Sequence, residues 1–427
     1  MTPVPVRLCL SGPAAGVAAA ARLACSHGLD LVATFDVGGT STDVAVLRGG
    51  EVPFTPAREI DGLPLRTPMV DMDVIGAGGG SLARVDEAGG LTVGPDSAGA
   101  DPGPVAFGRG GTMPTLTDAL LVLGRLDPAG LLGGRVPVDV AAAAAALEVA
   151  IARPLGLDVQ RAALGVVRVA VAAMVRCLRA QAVRRGLDLR GAWLVAYGGA
   201  GPTLAAEVLR EARMAGFLVP PEPGIFCAAA LLGGEVAADH SATLLAAVDD
   251  DAWPRVVAAH QRLRDAADAW LAGEGVPAAA RSFPLTLELR FRGQGHDLAV
   301  GFADGRLPPP AEVLAALAAA HARALGTTVE GRAAELTVLR VRAVGRLATA
   351  APHPRPTPLQ LHPHRRVGLP GGRETVAVLD RAALVPGTQR PGACIVQELT
   401  STTLVLPGQR LRVAADGALM VQEMRDG

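Results

Sequence analysis

The hydrophobic residues of the N-terminal half fall into short extended runs and into longer stretches with helical spacing, which is typical of an α/β fold. An apolar run over residues 31–35 predicts a strand that ends at Asp36. The turn residues Gly-Gly-Thr follow at 38–40, and a second extended run covers residues 43–47. The sequence therefore predicts a β-hairpin with a polar tip of small residues.

Helical spacing predicts helices over residues 11–28, 114–126, 140–153 and 160–185. We expect Thr117 or Asp118 to be the N-cap of the second of these helices. The longest helix has an apolar face for the core. Its arginines are interpreted as a solvated face rather than as phosphate ligands: Arg176, Arg179, Arg184 and Arg185.

Two further stretches of this half are rich in glycine. Residues 192–212 predict an apolar strand, a glycine turn at 198–201 and a helix that follows directly. Residues 93–111 have too many glycines and prolines for regular structure, so we expect a folded loop that lines a cleft.

The pattern changes near residue 239. A helix over 253–271, half-exposed strands within 283–302, a helix over 311–324 and a strand over 334–343 are predicted next. A proline-rich connector with three histidines (His353, His362 and His364) and short strands to residue 422 complete the chain. We interpret the histidines as part of an exposed linker. The predicted domains are an α/β domain over 1–240, an α+β region over 241–349 and a small β-rich domain over 350–427.

Composition limits the partners and the compartment that the sequence predicts. A formal net charge of −1 gives no reason to expect a nucleic acid or an acidic membrane as partner. The five cysteines are scattered without a C-x-x-C pair, which favours buried thiols in a reducing compartment. No signal peptide and no long uncharged apolar run is recognised, so the sequence predicts a soluble, cytoplasmic protein.

The tip of the predicted hairpin suits an anion. Adjacent glycines let backbone N–H groups approach phosphate oxygens, and the hydroxyls of Thr40, Ser41 and Thr42 add donors. Asp36 at the strand end suits a Mg²⁺ ion bound through water. An ordinary Gly-Gly hairpin turn is the alternative from these residues alone.

The other glycine turns suit the same cleft. A strand, a glycine turn and a helix N-terminus at 198–201 allow a nucleoside close approach to the backbone. A triple glycine at 78–80 with Ser81 follows a strand pattern in which Asp71 and Asp73 alternate with apolar residues. We expect the glycine turn at 38–40, called the first, and the glycine turn at 198–201, called the second, to face one cleft. The first would bind phosphates and the second adenosine.

Seven segments, in this order and across nearly the whole chain, resemble the hydantoinase A and oxoprolinase (HyuA) family: FDVGGTSTDVAVL, DVIGAGGGSLARVD, VGPDSAGADPGP, GGTMPTLTDALLVLGRL, AYGGAGP, LRFRGQGHDLAV and GACIVQELTSTTLVLPGQRL. The resemblance implies an actin-like ATPase core (ASKHA, ribonuclease H-like), followed by an α+β and β-rich C-terminal part. Family members use ATP and Mg²⁺ to open cyclic amides such as 5-oxoproline and hydantoins, and carboxylase relatives activate ketones.

The resemblance also implies site residues. A second phosphate loop would carry the catalytic residues Asp36, Thr40 and Asp43, with Asp36 holding Mg²⁺ through water. Nucleotide binding would use the two glycine turns: Gly38, Gly39, Thr40, Ser41, Gly198, Gly199, Ala200 and Gly201. A substrate-side loop would comprise Asp71, Asp73, Gly78, Gly79, Gly80 and Ser81.

The sequence also departs from the family pattern. Relatives have an N-terminal domain with a first phosphate loop, whereas this chain begins near the middle region of the family. Asp73, Leu187 and Leu204 stand where relatives often have histidine. We therefore expect one subunit, or a partial chain, of an ATP-dependent cyclic amide hydrolase. It would act with an N-terminal-lobe subunit, a hydantoinase B-type subunit, or both. The alternatives are a ketone carboxylase β-type subunit and a non-catalytic nucleotide-binding scaffold.

Overall fold

The computed structural model describes residues 10–55, 58–60, 62–65, 69–233, 235–327, 331–346 and 358–424. Its α-helices, in chain order, are α1 Ser11–Ser26, α2 Leu116–Val122, α3 Val140–Leu147, α4 Arg153–Leu155, α5 Val159–Arg184, α6 Gly201–Ala212, α7 Phe226–Ala229, α8 Trp253–Gly273 and α9 Pro310–Leu325. Its strands are β1 Leu31–Val37, β2 Thr42–Arg48, β3 Phe54–Thr55, β4 Arg58–Ile60, β5 Leu63–Leu65, β6 Met69–Val70, β7 Asp73–Ile75, β8 Ser81–Val85, β9 Leu91–Ser97, β10 Trp193–Tyr197, β11 Gly216–Val219, β12 Glu235–Ala247, β13 Arg281–Ser282, β14 Leu285–Phe291, β15 Leu298–Phe302, β16 Ala334–Arg346, β17 His364–Leu369, β18 Gly372–Asp380, β19 Gln389–Pro391, β20 Cys394–Gln397, β21 Thr402–Val405, β22 Gln409–Val413 and β23 Leu419–Glu423.

The chain divides into two units. Unit 1 comprises residues 1–230 and 352–427, and unit 2 comprises residues 231–351. This grouping differs from the predicted boundaries after residues 240 and 349. The C-terminal strand β23 pairs with β11 inside the main sheet of unit 1, which the local sequence pattern does not reveal.

The main sheet of unit 1 has eight strands in the order β19-β22-β23-β11-β10-β1-β2-β7. Its centre is parallel, because β1 pairs with β10 and β10 with β11 in the same direction. The predicted hairpin is confirmed: β1 and β2 are antiparallel, with Asp36 opposite Asp43. A four-stranded sheet, β17-β18-β20-β21, and three two-stranded pairs complete the strands described for this unit.

Alternation along β1 and β2 buries both faces of this sheet. Phe35 and Val44 point to one face, where they join the core that also contains the apolar face of α5. Val32 and Leu47 point to the opposite face and pack with α1. Residues of odd number on β2, including Asp43, therefore share the α1 face, and residues of even number share the α5 face.

A buried ion pair connects the end of α2 with α6, and its arginine also bonds to β17. Arg125 is fully buried and donates two hydrogen bonds to Glu207 of α6, at 2.8 and 2.9 Å, and one to the carbonyl of Gly368 at 3.1 Å. The pairing satisfies a charge that would otherwise be costly in the core. It fixes α6, which carries the second glycine turn at its N-terminus, against the end of α2.

The N-cap of α2 differs from the predicted residue. Thr115, not Thr117 or Asp118, caps the helix, and its Oγ1 accepts the N–H of Asp118 at 3.3 Å. The Asp118 carboxylate in turn accepts a hydrogen bond from the Thr115 N–H at 2.8 Å, which completes a capping box. The Asp118 carboxylate also accepts the N–H groups of Val105 and Ala106, so Asp118 lies inside the first turn and connects it to the preceding segment. The α-helix covers Leu116–Val122 and is shorter than the predicted 114–126.

We predict that Thr115→Ala lowers the free energy of unfolding by about 1–2 kcal/mol, the usual effect of losing an N-cap hydroxyl. Thr117→Ala is the matched control, since Thr117 lies in the same turn, is half-buried and has no side-chain hydrogen bond among those described. Urea unfolding followed by circular dichroism measures both variants. Equal destabilisation by the two substitutions would contradict the assignment.

Two other segments and one cysteine depart from prediction. The helix expected over 140–153 is α-helical only to Leu147 and continues as a π-helical turn over Glu148–Ala152, ahead of Pro154, which has no N–H to donate. The stretch expected to be irregular from residue 93 is extended to Ser97, because β9 pairs with β8. Cys25 is exposed rather than buried, and His353 lies outside the described residues.

Unit 2 contains a five-stranded sheet in the order β12-β16-β14-β15, with β13 also paired to β16. Leu285, Leu287 and Leu289 of β14 point into a core shared with residues of α8 and α9, which confirms the predicted alternation. The long strand β12 was not predicted. It is rich in alanine and polar residues, and its extended form comes from pairing along nearly its full length with β16.

Within the described residues no single helix is long and apolar enough to cross a membrane, although helices 140–155 and 159–184, bent by 86°, meet that test as a pair.

Candidate nucleotide site

The tip of the β1–β2 hairpin presents free backbone donors. The turn is closed by one hydrogen bond, from the Gly38 N–H to the Ser41 carbonyl at 3.1 Å. In the described structure no acceptor faces the N–H groups of Gly39, Thr40 or Ser41, and residues 38–40 are exposed. A Cβ built on Gly38 or Gly39 would meet no atom within 4 Å. The tip is thus an open cradle of donors of the kind that binds phosphate.

The triple glycine supports this tip from behind. Gly79 and Gly80 donate their N–H groups to the carbonyls of Gly38 and Gly39, at 2.9 and 2.5 Å. The Gly78 N–H donates to Ser81 Oγ at 2.7 Å, and the Ser81 N–H to the Gly78 carbonyl at 3.0 Å. All four N–H groups are engaged and the four residues are buried, so the predicted substrate-side loop has no free backbone donor here.

Only glycine fits the first position of this support. A Cβ on Gly78 would lie 2.7 Å from the Ser41 nitrogen and 2.8 Å from the Thr40 nitrogen. That distance is below any ordinary van der Waals contact, so a side chain here would displace the tip.

The second glycine turn adjoins the first. Parallel pairing places Tyr197 opposite Asp36, and the Ala200 N–H donates to the Val37 carbonyl at 3.0 Å. Gly198 has a φ of +80°, and a Cβ there would lie 2.5 Å from Asp36 Oδ1. Helix α6 begins at Gly201 with Pro202 in its first turn. Both glycine turns therefore stand at the carboxyl ends of neighbouring parallel strands, where ligands bind in open α/β sheets.

Two carboxylates face each other beside the tip. Asp36 and Asp43 are cross-strand partners on the α1 face. Burial raises the pKa of Asp43 to about 6, with a further contribution from the negative charge of Asp36. Burial also raises the pKa of Asp36, and the Cys227 thiol opposes this effect by donating to Asp36 Oδ2 at 3.2 Å. Closely spaced acidic groups of this kind favour a cation between them.

This pair gives a pH dependence of stability. Because the folded pKa of Asp43 lies above its unfolded value, its ionisation opposes folding, so stability falls as pH rises from about 4 through about 6. We expect Asp43→Asn to make that fall smaller and to leave only the part that the raised pKa of Asp36 contributes. Thermal melts without Mg²⁺ at several pH values test this, with Asp30→Asn, an exposed position just before β1, as control. Parallel pH profiles for wild type and Asp43→Asn would contradict it.

Asp71 and Asp73 are not at the tip. Asp73 lies opposite Val44 in the β2–β7 pair, hence on the α5 face, and its carboxylate forms an ion pair with Arg184 of α5. The backbone carbonyl of Asp71 accepts a hydrogen bond from Gln181 Nε2 at 3.2 Å. The structure brings neither carboxylate together with Asp36 and Asp43.

Several residues at the site were missed by sequence reasoning. The Cys227 thiol donates a hydrogen bond to Asp36, and the Ser401 hydroxyl lies 3.4 Å from the carbonyl oxygens of both Gly198 and Gly199. The Thr42 hydroxyl, which the sequence predicts as an anion donor, is instead fully buried: it donates to the Ala77 carbonyl and connects β2 to the support turn. Cys227 and Ser401 come from distant parts of the sequence, and no local motif marks them.

The donors present fit Mg²⁺ beside a polyphosphate. The described residues contain no cluster of three or more histidine, cysteine, aspartate or glutamate side chains suited to a metal. Asp36 and Asp43 supply the one or two carboxylates that Mg²⁺ usually takes, and phosphate oxygens and water would complete its coordination.

The sequence profile of the hydantoinase/oxoprolinase family matches residues 1–240. The chain belongs to this family. It is 32% identical to caprolactamase subunit alpha of Pseudomonas jessenii, over 94% of this chain and 59% of that protein. The chain thus spans about three-fifths of the length of that relative.

Solved structures agree with this assignment. The ATP-dependent caprolactamase of Pseudomonas jessenii superposes with a TM-score of 0.77 at 30% identity, covering 97% of this chain and 62% of that chain. A nucleotide-free acetone carboxylase structure gives a TM-score of 0.82 at 24% identity, covering 96% and 61%, and shows a shared fold.

Proposed function

We propose that this chain binds Mg·ATP at the β1–β2 tip as part of a hydrolase that opens a cyclic amide, such as 5-oxoproline or a hydantoin. The observation that carries the proposal is the exposed turn with three unpaired N–H groups beside two carboxylates. Caprolactamase, whose name denotes action on a cyclic amide, is a relative over nearly all of this chain.

Unit 1 would form one half of an actin-like ATPase core. Its β1–β2 hairpin would be the second phosphate loop, and residues 198–201 would form the adenosine loop. The first phosphate loop would come from an N-terminal lobe, either on a separate subunit or on a longer form of the chain.

Each group at the tip then has a role. The N–H groups of Gly39, Thr40 and Ser41 would bind phosphate oxygens, and Asp36 and Asp43 would hold Mg²⁺. Gly198 allows the backbone to turn close to Asp36, so that adenosine and phosphates lie in one groove. ATP would transfer its γ-phosphoryl group to the amide oxygen and leave as ADP. Water would then add to the activated carbon, and the ring C–N bond would break to leave an amine and an acyl phosphate. A second water would hydrolyse the acyl phosphate to a carboxylate and free phosphate.

The test is to incubate the complete enzyme, with its partner subunits, with Mg·ATP and a panel of lactams and hydantoins. Ring-opened product and phosphate are measured together. We expect phosphate release to depend on a cyclic amide and to match ring opening in amount. Phosphate release that needs a ketone and bicarbonate instead would support a carboxylase subunit, and ATP binding without turnover would support a scaffold. Either result would overturn the proposal.

A further inference from the structure

The carboxylate of Asp36 is held at both of its oxygens. Its Oδ2 accepts a hydrogen bond from the Cys227 thiol at 3.2 Å. Its Oδ1 lies beside Gly198, where a Cβ would be only 2.5 Å away. The last side-chain torsion of aspartate is broad, so its own rotamer does not fix the plane of the carboxylate. The two contacts fix that plane, and the lone pairs that they leave are available to a cation.

Cys227 is itself held in place by its neighbours. It lies in the short helix α7 directly after Phe226, whose ring contacts the ring of Tyr197 with the centroids 4.9 Å apart. Tyr197 is the partner of Asp36 in the parallel β1–β10 pair. Helix α1 also packs against the sulfur, since a Cβ on Gly16 would lie 2.4 Å from Cys227 Sγ. The thiol therefore has little freedom to move away from the carboxylate.

The segment that carries Cys227 also contacts the second glycine turn. The Gly198 N–H donates to the carbonyl of Pro223, shortly before Cys227, at 2.9 Å. This segment thus reaches the turn through its backbone and reaches Asp36 through a side chain. An apolar side chain of similar size could fill the space beside α1, whereas the contact with the carboxylate requires a donor. The hydrogen bond is therefore the property of Cys227 that the site uses.

We propose that Cys227 is a positioning residue of the nucleotide site, whose thiol orients the Asp36 carboxylate for binding the Mg²⁺ ion of Mg·ATP. The proposal rests on the proposed function for the metal, and it adds a residue that acts only through Asp36. Groups that hydrogen-bond to a metal-binding carboxylate fix its orientation, and their loss usually weakens metal binding by about 10- to 100-fold. A thiol is a weak donor, so we expect the lower end of that range.

The experiment measures the affinity of the complete enzyme for ATP by calorimetry, once with excess Mg²⁺ and once with EDTA. The ratio of the two affinities is the contribution of the metal. We expect Cys227→Ala to lower this ratio by about 10-fold and to leave the affinity in EDTA unchanged. Cys227→Ser, whose hydroxyl can donate to the same carboxylate, should restore most of the ratio. Thermal melting of each variant confirms that it is folded.

Cys177→Ala is the matched control, because Cys177 of α5 is also half-buried and has no side-chain hydrogen bond among those described. We expect the wild-type ratio for this variant. A ratio that Cys227→Ala lowers and Cys227→Ser restores supports the inference even if no cyclic amide is opened, in which case only the proposed reaction fails. A ratio that Cys227→Ala leaves unchanged, or that the alanine and serine variants lower equally, overturns the inference. Wild-type affinity for ATP that does not depend on Mg²⁺ overturns the metal site and this inference together.

Discussion

Asp36→Asn should lower the ATP turnover of the complete enzyme by about 10²- to 10³-fold, the range seen when one preorganised electrostatic group is removed from an active site. The amide has nearly the same shape as the carboxylate but cannot balance the charge of Mg²⁺. Since burial already raises the pKa of Asp36, the substitution removes a desolvated charge and should not destabilise the fold. Phosphate release and thermal melting, measured together, separate activity from folding.

Asp30→Asn is the control for this variant. Asp30 precedes the same strand at its opposite end, where it forms an exposed pair with Arg48 at 3.9 Å. Exposed pairs of this kind contribute little, so we expect unchanged turnover and stability. Undiminished ATP hydrolysis by Asp36→Asn would remove the role assigned to this carboxylate.

The hairpin could be predicted because its signals are local. Apolar runs with a Gly-Gly turn between them specify two strands and their register, and Asp36 at a strand end marks the tip. The second glycine turn was predictable in the same way, since a strand, a turn and a helix follow one another within about twenty residues.

Features that depend on distant parts of the chain were not predictable. The strand β12 is defined by pairing with β16, about one hundred residues later, rather than by its own composition. The family resemblance implies that Asp73 belongs to a substrate-side loop, and that role stays a prediction. The surroundings of Asp73 were not predictable from the sequence, because the register of β7 turns it toward α5, where it pairs with Arg184.

The triple glycine shows how one pattern serves two purposes. Residues 38–40 and 78–80 are both glycine-rich, and from the sequence a ligand-binding role is predicted for each turn. In the structure the first turn is exposed and has free donors, whereas the second is buried and donates to the first. Exposure, which depends on the tertiary fold, separates the two.

Gly39→Val should abolish nucleotide binding without affecting the fold. Gly39 is exposed, its φ is outside the left-handed region and a Cβ there meets no atom within 4 Å, so valine fits the free protein. The branched side chain would occupy the space from which phosphate reaches the backbone donors. Loss of two such charge-assisted hydrogen bonds corresponds to about 10²- to 10⁴-fold in affinity.

The most direct measurement is therefore the calorimetric affinity of Mg·ATP for the complete enzyme, wild type against Gly39→Val, with Gly191→Val as the control. Gly191 is equally exposed and open, and it lies in a turn before β10 that is not part of the cradle. We predict lost binding for Gly39→Val, wild-type affinity for Gly191→Val and the same melting temperature for all three proteins. Wild-type affinity in a folded Gly39→Val protein would contradict the assignment of the hairpin tip as the phosphate site.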